Sequence, residues 1–151
     1  MADTGIGASV KRKEDQRFIT GKGQYTDDIV LPGTAHAAFV RSPHAHARIR
    51  SIDTTRAQRH PGVRFVFTGQ DLMAGGVNPL PVGWLLPDIK IPPHPVMAVN
   101  TVNHVGEAVA VVFADSAYIA RDAAELIDVE YETLDPVVDT AKNALVHFHC
   151  T

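Results

Sequence analysis

The sequence predicts an α+β domain, with a mixed sheet and two main helices. Three observations carry this. Short alternating apolar stretches recur at strand length. Two helical patterns each follow one strand candidate and precede another. A Pro-rich stretch divides the chain into two parts, each ordered roughly as β-β-α-β. At 151 residues the chain favours one domain. A chain of this size buries roughly 68–70% of its unfolded surface, enough for a real core.

The elements follow in order. Residues 1–30 read as an irregular arm, broken by Gly5, Gly7, Gly21 and Gly23 and closed by Asp27-Asp28. Leu31-Pro32-Gly33 is a turn. Ala35–Arg41 alternates as a strand, with Ala35, Ala37 and Phe39 in one phase. Ser42-Pro43 bends the chain, and His46–Asp53 alternates again, with Ala47 and Ile49 opposite Arg48 and Arg50. Asp53 or Thr54 caps a short helix, Thr55–Arg59, that Pro61-Gly62 ends. Val63–Thr68 is the next strand, with Val63, Phe65 and Phe67 in phase, and Asp71 starts one more helical turn.

Residues 75–95 hold Gly75-Gly76, Gly83 and six of the ten prolines, which excludes a regular helix or central strand. A loop this long inside a compact domain points to contact-making, and Trp84, Leu85 and Leu86 lie on it. Val96–Val102 and Ala108–Ala114 are strands joined by Asn103–Glu107. The AVAVVFA run is apolar in both phases, so both its faces are expected to be covered. Ala117–Ile127 is the clearest helix, with Ser116 as N-cap and Ala120, Ala123, Ala124 and Ile127 as a narrow apolar stripe. A short strand through Val129 and Tyr131 ends at Leu134-Asp135-Pro136.

Charge and composition exclude several classes. A net charge of −3 gives no electrostatic footprint for nucleic acid or anionic membrane. The first residues lack the apolar core of a secretory signal, and the longest apolar run, Ala108–Ala114, falls far short of a bilayer span. Cys150 is the single cysteine, so no intrachain disulfide forms, and a cytoplasmic location fits.

Candidate chemistry is sparse. Gly21-Lys22-Gly23 lacks the strand before and the helix after that a phosphate-binding loop needs, and reads as a tight turn. His44 and His46 share a side if extended, and His36 could join them, but a zinc site needs three or four ligands; polar positions on an edge strand are the favoured reading. His147, His149 and Cys150 form a ligand-rich tail where chains fray. Ser9, Ser42, Ser51 and Ser116 lack a nucleophile elbow. Glu107 would be a base only if buried, and is expected exposed at a turn. No catalytic, cofactor-binding or metal residue is assigned.

Several stretches together resemble one family: VKRKEDQRFITGKGQYTDD over Val10–Asp28, Leu31-Pro32-Gly33, FVRSPHAHARI over Phe39–Ile49, Ile52-Asp53-Thr54, Pro61-Gly62-Val63, TGQDL over Thr68–Leu72, Val105-Gly106-Glu107 and ARDAAEL over Ala120–Leu126. Their order is similar to the start of the molybdopterin-binding large subunit of xanthine dehydrogenase, aldehyde oxidase and aerobic CO dehydrogenase. The resemblance implies an α/β hammerhead domain over 31–140, preceded by the arm of 1–30. It implies that the molybdenum centre, a molybdopterin often in its cytosine dinucleotide form, is held by domains that follow. It implies iron–sulfur and FAD modules as electron-carrying partners. The implied reaction of the whole subunit is hydroxylation of aldehydes, purines or N-heterocycles, or oxidation of CO.

Glu107 does not match the family's catalytic glutamate, which lies near the far C-terminus. After Val146-His147 the family continues through an acidic linker, whereas this chain reads Phe148-His149-Cys150-Thr151, so 141–151 is expected to be a truncated, off-pattern tail. The expected role is a structural and assembly domain, inactive by itself. The alternatives are a free-standing binding or scaffold protein using loop 75–95, and a small metal-dependent enzyme using His36, His44 and His46. Surfaces meant to be covered are expected to make the isolated chain self-associate, through Trp84, Leu85, Leu86, Phe18 and Ile19.

Overall fold

The computed structural model describes residues 7, 9–84, 87 and 91–139. It divides into two compact units, Met1–Thr34 and Ala35–Thr151. The first is less irregular than its glycines suggest. It contains helix α1 (Asp15–Ile19) and a 3₁₀ turn, Thr26–Asp28. Phe18 stacks on Tyr25 at 5.4 Å between ring centroids. Gly21, at φ +70°, turns the chain out of α1, and Gly23 lies flat against the Phe18 ring, where a Cβ would collide.

Among its described residues the second unit holds six strands and three helices: β1 (His36–Arg41), β2 (Ala47–Asp53), α2 (Thr55–Gln58), β3 (Val63–Thr68), α3 (Gly69–Ala74), β4 (Thr101–Val102), β5 (Ala108–Ala114), α4 (Ala117–Ala124) and β6 (Asp128–Thr133). The α+β class is as expected, but a mixed sheet is not what forms. There are two three-stranded sheets, ordered β1-β5-β3 and β4-β2-β6, and every pairing in them is antiparallel. The two parts of the sequence interleave. The late strand β5 is the centre of the first sheet, and the early strand β2 is the centre of the second.

The expected strand Val96–Val102 shrinks to Thr101–Val102. Its first residues bridge the sheets instead of running along one. The Ala98 N–H donates to Ala108 O at 2.8 Å, and Asn100 O accepts from Ile49 N–H at 2.8 Å. Met97 and Ala98 are buried by that crossing. At α2 both proposed caps have a role. The Asp53 carboxylate accepts the Thr55 N–H at 2.9 Å, and the Thr54 hydroxyl accepts from Gln58 Nε2 at 3.0 Å. Hydrogen bonding from Thr55 holds the Asp53 carboxyl below its ordinary range.

Helix α4 follows the sequence reading closely. Ser116 Oγ accepts the Ile119 N–H at 3.2 Å, an N-cap as expected. The regular helix ends at Ala124, three residues early, but 3₁₀-type bonds from Leu126 to Ala123 and from Ile127 to Ala124 carry the turn onward. Ile127 therefore still reaches the core, where Ala57, Ala110, Val112 and Ala123 meet. Ala120 and Ala123 have no accessible surface, whereas Ala124 is only half-buried. The stripe is thus narrower than four residues. Ala123→Leu is expected to overpack this contact and cost about 1–3 kcal/mol, with Ala124→Leu less harmful. Urea unfolding midpoints of the two variants check this, and an unmoved midpoint for Ala123→Leu contradicts the packing.

Candidate functional site

The residues that sequence reading considered for chemistry are mostly committed to holding the chain together. Ser42 is buried, and its hydroxyl accepts the His44 N–H at 3.0 Å and lies 3.1 Å from His44 O. Ser42 N–H donates to Glu107 O at 2.9 Å, and Gly106 N–H returns the bond to Ser42 O at 2.8 Å. Arg41 Nη1 donates to Gly106 O at 2.8 Å. The Ser-Pro-His bend and the 103–107 turn therefore lock one another, with Gly106 at φ +86° as only glycine readily allows.

Glu107 belongs to this lock. Its side chain is only 12% exposed, against the expectation of an exposed turn residue, because the carboxylate accepts the Asn103 N–H inside the turn. The three histidines part ways. His36 is exposed at the start of β1, and His44 packs against Tyr131 at 4.9 Å. The His46 ring bonds Asp135 O at 2.9 Å. Burial raises the Tyr131 phenol above its ordinary value, against an opposing hydrogen bond with Ser42. Among the described residues no group of three or more His, Cys, Asp or Glu is placed to hold a metal ion. The glycine pair follows a helix instead of preceding one: Gly21 N–H and Lys22 N–H cap the end of α1 on Phe18 O and Arg17 O. His147, His149 and Cys150 lie outside the described residues.

Two apolar surfaces stand out instead. One is a groove of about 440 Å³ between α3 and the ends of the Pro-rich loop, lined by Leu72, Met73, Val77, Pro93 and Val96 among others. Leu80 N–H bonds His94 O at 2.8 Å and ties the two ends of the loop together. Gly69 floors the groove against the Ala98 carbonyl, where a Cβ would collide with backbone. Among the described residues the lining carries no cationic side chain for an anionic pterin phosphate, and its polar side chains are the neutral amides of Asn78 and Asn100. The groove does not fit that group.

The other surface is the open face of the first sheet. Phe39, Phe65 and Phe67 are 50%, 60% and 36% exposed there. Sequence alternation reads Val63 in phase with Phe65 and Phe67. The structure separates them, because Arg64 is the extra residue of a β-bulge between Val63 and Phe65. Val63 and Val66 therefore pack on the helix side, and the phenylalanines turn outward. Of the expected sticky residues, Trp84 and Ile19 are 75% and 84% exposed, but Phe18 is half-buried under its stack with Tyr25. Leu85 and Leu86 lie outside the described residues.

Among the described residues the second unit is thus a pair of three-stranded antiparallel sheets, one of them bulged and backed by a small-residue helix. Residues 20–135 match the family described as the aldehyde oxidase and xanthine dehydrogenase a/b hammerhead domain. The chain is 45% identical over 138 residues to the carbon monoxide dehydrogenase large chain of Afipia carboxidovorans, covering 91% of this chain and 16% of that one. Among solved structures it is similar to quinoline 2-oxidoreductase from Pseudomonas putida 86, with a TM-score of 0.81 and 45% identity over 93% of this chain and 18% of that one. The Cu,Mo-CO dehydrogenase in its carbon monoxide reduced state gives a TM-score of 0.78 and 42% identity, covering 91% and 16%. The chain belongs to the hammerhead-domain family of these molybdenum oxidoreductases, and spans about a sixth of the relatives' length.

Two predictions follow from these surfaces. Gly69→Ala is expected to lower stability by about 1–3 kcal/mol, because the collision is with backbone that cannot rotate away. Chemical denaturation measures it, and wild-type stability would show that the Ala98 crossing yields freely. The isolated chain is also expected to self-associate weakly as concentration rises, with Phe65→Ser reducing this more than Trp84→Ser. Sedimentation velocity over a concentration series distinguishes them, and a clean monomer throughout contradicts it.

Proposed function

We propose that this chain acts as the N-terminal structural and assembly domain of a molybdenum hydroxylase large subunit. The family match over residues 20–135 carries the reading, together with the small share of much longer relatives that the chain covers. On this reading the whole subunit hydroxylates aldehydes, purines or N-heterocycles, or oxidises CO. Its molybdopterin, in the cytosine dinucleotide form, is held by the remaining domains, and iron–sulfur and FAD modules carry electrons away. The hammerhead contributes position and burial.

Two observations support a packing role over a catalytic one. Buried side-chain nitrogen and oxygen atoms among the described residues all have hydrogen-bond partners, as packed interiors require. Two of the three histidines considered for chemistry, His44 and His46, engage a ring and a backbone carbonyl of their own unit. No helix among the described residues is long and apolar enough to cross a membrane. With a single cysteine in the sequence, the reading places the protein in the cytoplasm.

A washed preparation of the 151-residue chain is expected to hold far less than one molybdenum per chain and to hydroxylate neither aldehydes nor purines. Elemental analysis checks the first and substrate turnover the second. Stoichiometric molybdenum would overturn the assignment of cofactor binding to other domains.

A further inference from the structure

The two sheets finish their open faces in opposite ways. On the second sheet, Arg48 and Arg50 both reach the Glu132 carboxylate, at 3.2 and 2.5 Å, and Ser51 Oγ donates to Glu130 at 3.2 Å. Every one of these groups is content in water. On the first sheet, strand pairing sets out two rows across three strands, Ala37-Phe113-Phe65 and Phe39-Val111-Phe67. Phe65 stacks along Phe67 at 6.0 Å, and Phe67 meets Phe113 edge-on at 6.1 Å. Arg41 lies over the Phe39 ring at 5.5 Å while its guanidinium bonds Gly106 O, so this charge beside the patch is already satisfied, and Arg64 beside Phe65 is paired with Asp115. The result is an ordered aromatic plate asking for an apolar neighbour, with aromatic residues and an arginine of the kind that interface centres favour.

We propose that this plate is the docking face for an apolar surface of the rest of the large-subunit polypeptide, which rests on the reading of the chain as a domain of such a subunit. Size decides between that occupant and a second copy of this chain. The exposed parts of the three rings come to something on the order of 300 Å². A stable dimer needs about 800 Å² from each partner. The plate is too small to hold two free chains in a stable dimer and supports only their weak association at high concentration. It suffices for a contact within one polypeptide, where the tether keeps the partner at an effective concentration of about millimolar. The solved relatives supply that setting: the same fold makes up 18% of a single chain in the quinoline enzyme and 16% in the CO dehydrogenase.

Cysteine accessibility tests the proposal. Residues 20–135 of this chain replace the matching region of the Afipia carboxidovorans large chain, with Phe65→Cys or Phe39→Cys on the plate and Ser51→Cys on the charged sheet as control. Maleimide labelling at each position is read by peptide mass spectrometry, in the chimera and in the free 151-residue chain diluted to monomer. The thiols at 65 and 39 are expected to react freely in the free chain and to slow by an order of magnitude or more in the chimera, while the thiol at 51 reacts in both. Equal reactivity at 65 and 39 in a chimera that assembles and retains molybdenum overturns the docking face and leaves the proposed function standing. Protection already present in the dilute free chain overturns it in favour of a covering segment of the chain itself. A chimera that never assembles overturns the underlying reading.

Discussion

The close approach of α4 to the central strand β5 is the contact on which the rest of the fold depends. Ala120 and Ala123 have no accessible surface, and the cluster that Ala123 joins includes Ala110 and Val112 of β5. Small side chains on both partners let helix and strand backbones come near one another, and any larger residue would separate them. With β5 held there, β1 and β3 can pair on its two edges, and α2 brings Ala57 into the same cluster. The turn leading into β3 is keyed to the same helix. Gly62, at φ +84°, sits where a Cβ would press on Ile119 of α4, and its carbonyl accepts the Asp115 N–H at 2.9 Å.

The second sheet is tied to the first through the segment before β4. Ala98 bonds β5 and Asn100 bonds β2, so three residues connect both sheets. Val109 of β5 shares the second cluster with Ala47, Ala98 and Val102. The face of the first sheet is therefore covered at the Val109 end and left open where Phe113 sits. This explains why β5 reads as apolar in both phases while only part of its second face is enclosed by this chain. The Ser42–Glu107 lock works at the same junction, fixing the bend between β1 and β2 against the turn that enters β5.

What was legible in the sequence follows from where the physics is local. The Ser116 cap, the alanine stripe and the AVAVVFA strand declare themselves within about a dozen residues; the cap and the strand are found in place, and the stripe is found narrowed by the partial exposure of Ala124. The sense of β3 was not legible. A bulge is one extra residue, Arg64, and nothing in VRFVFT marks it; its side chain makes its ion pair with Asp115, 51 positions away. Sheet pairing was equally hidden, since the interleaving of early and late strands is a long-range outcome. Glu107 escaped for a related reason: its partner is the backbone of its own turn, which a residue list does not show.

These misreadings bear on function. Read without the bulge, the phenylalanines of β3 belong to the core, and the contact surface falls to Trp84 on the Pro-rich loop. Read with it, the core is built mostly of alanine and valine, and Phe39, Phe65 and Phe67 of the sheet lie outside. A domain that fills its own interior with small residues and presents its rings to the exterior has placed its main apolar reserve at a boundary. The charged finish of the second sheet shows that the same chain supplies water-compatible pairs where a face is to stay open. The difference between the two faces is a difference in destination: one is meant for solvent and the other for protein.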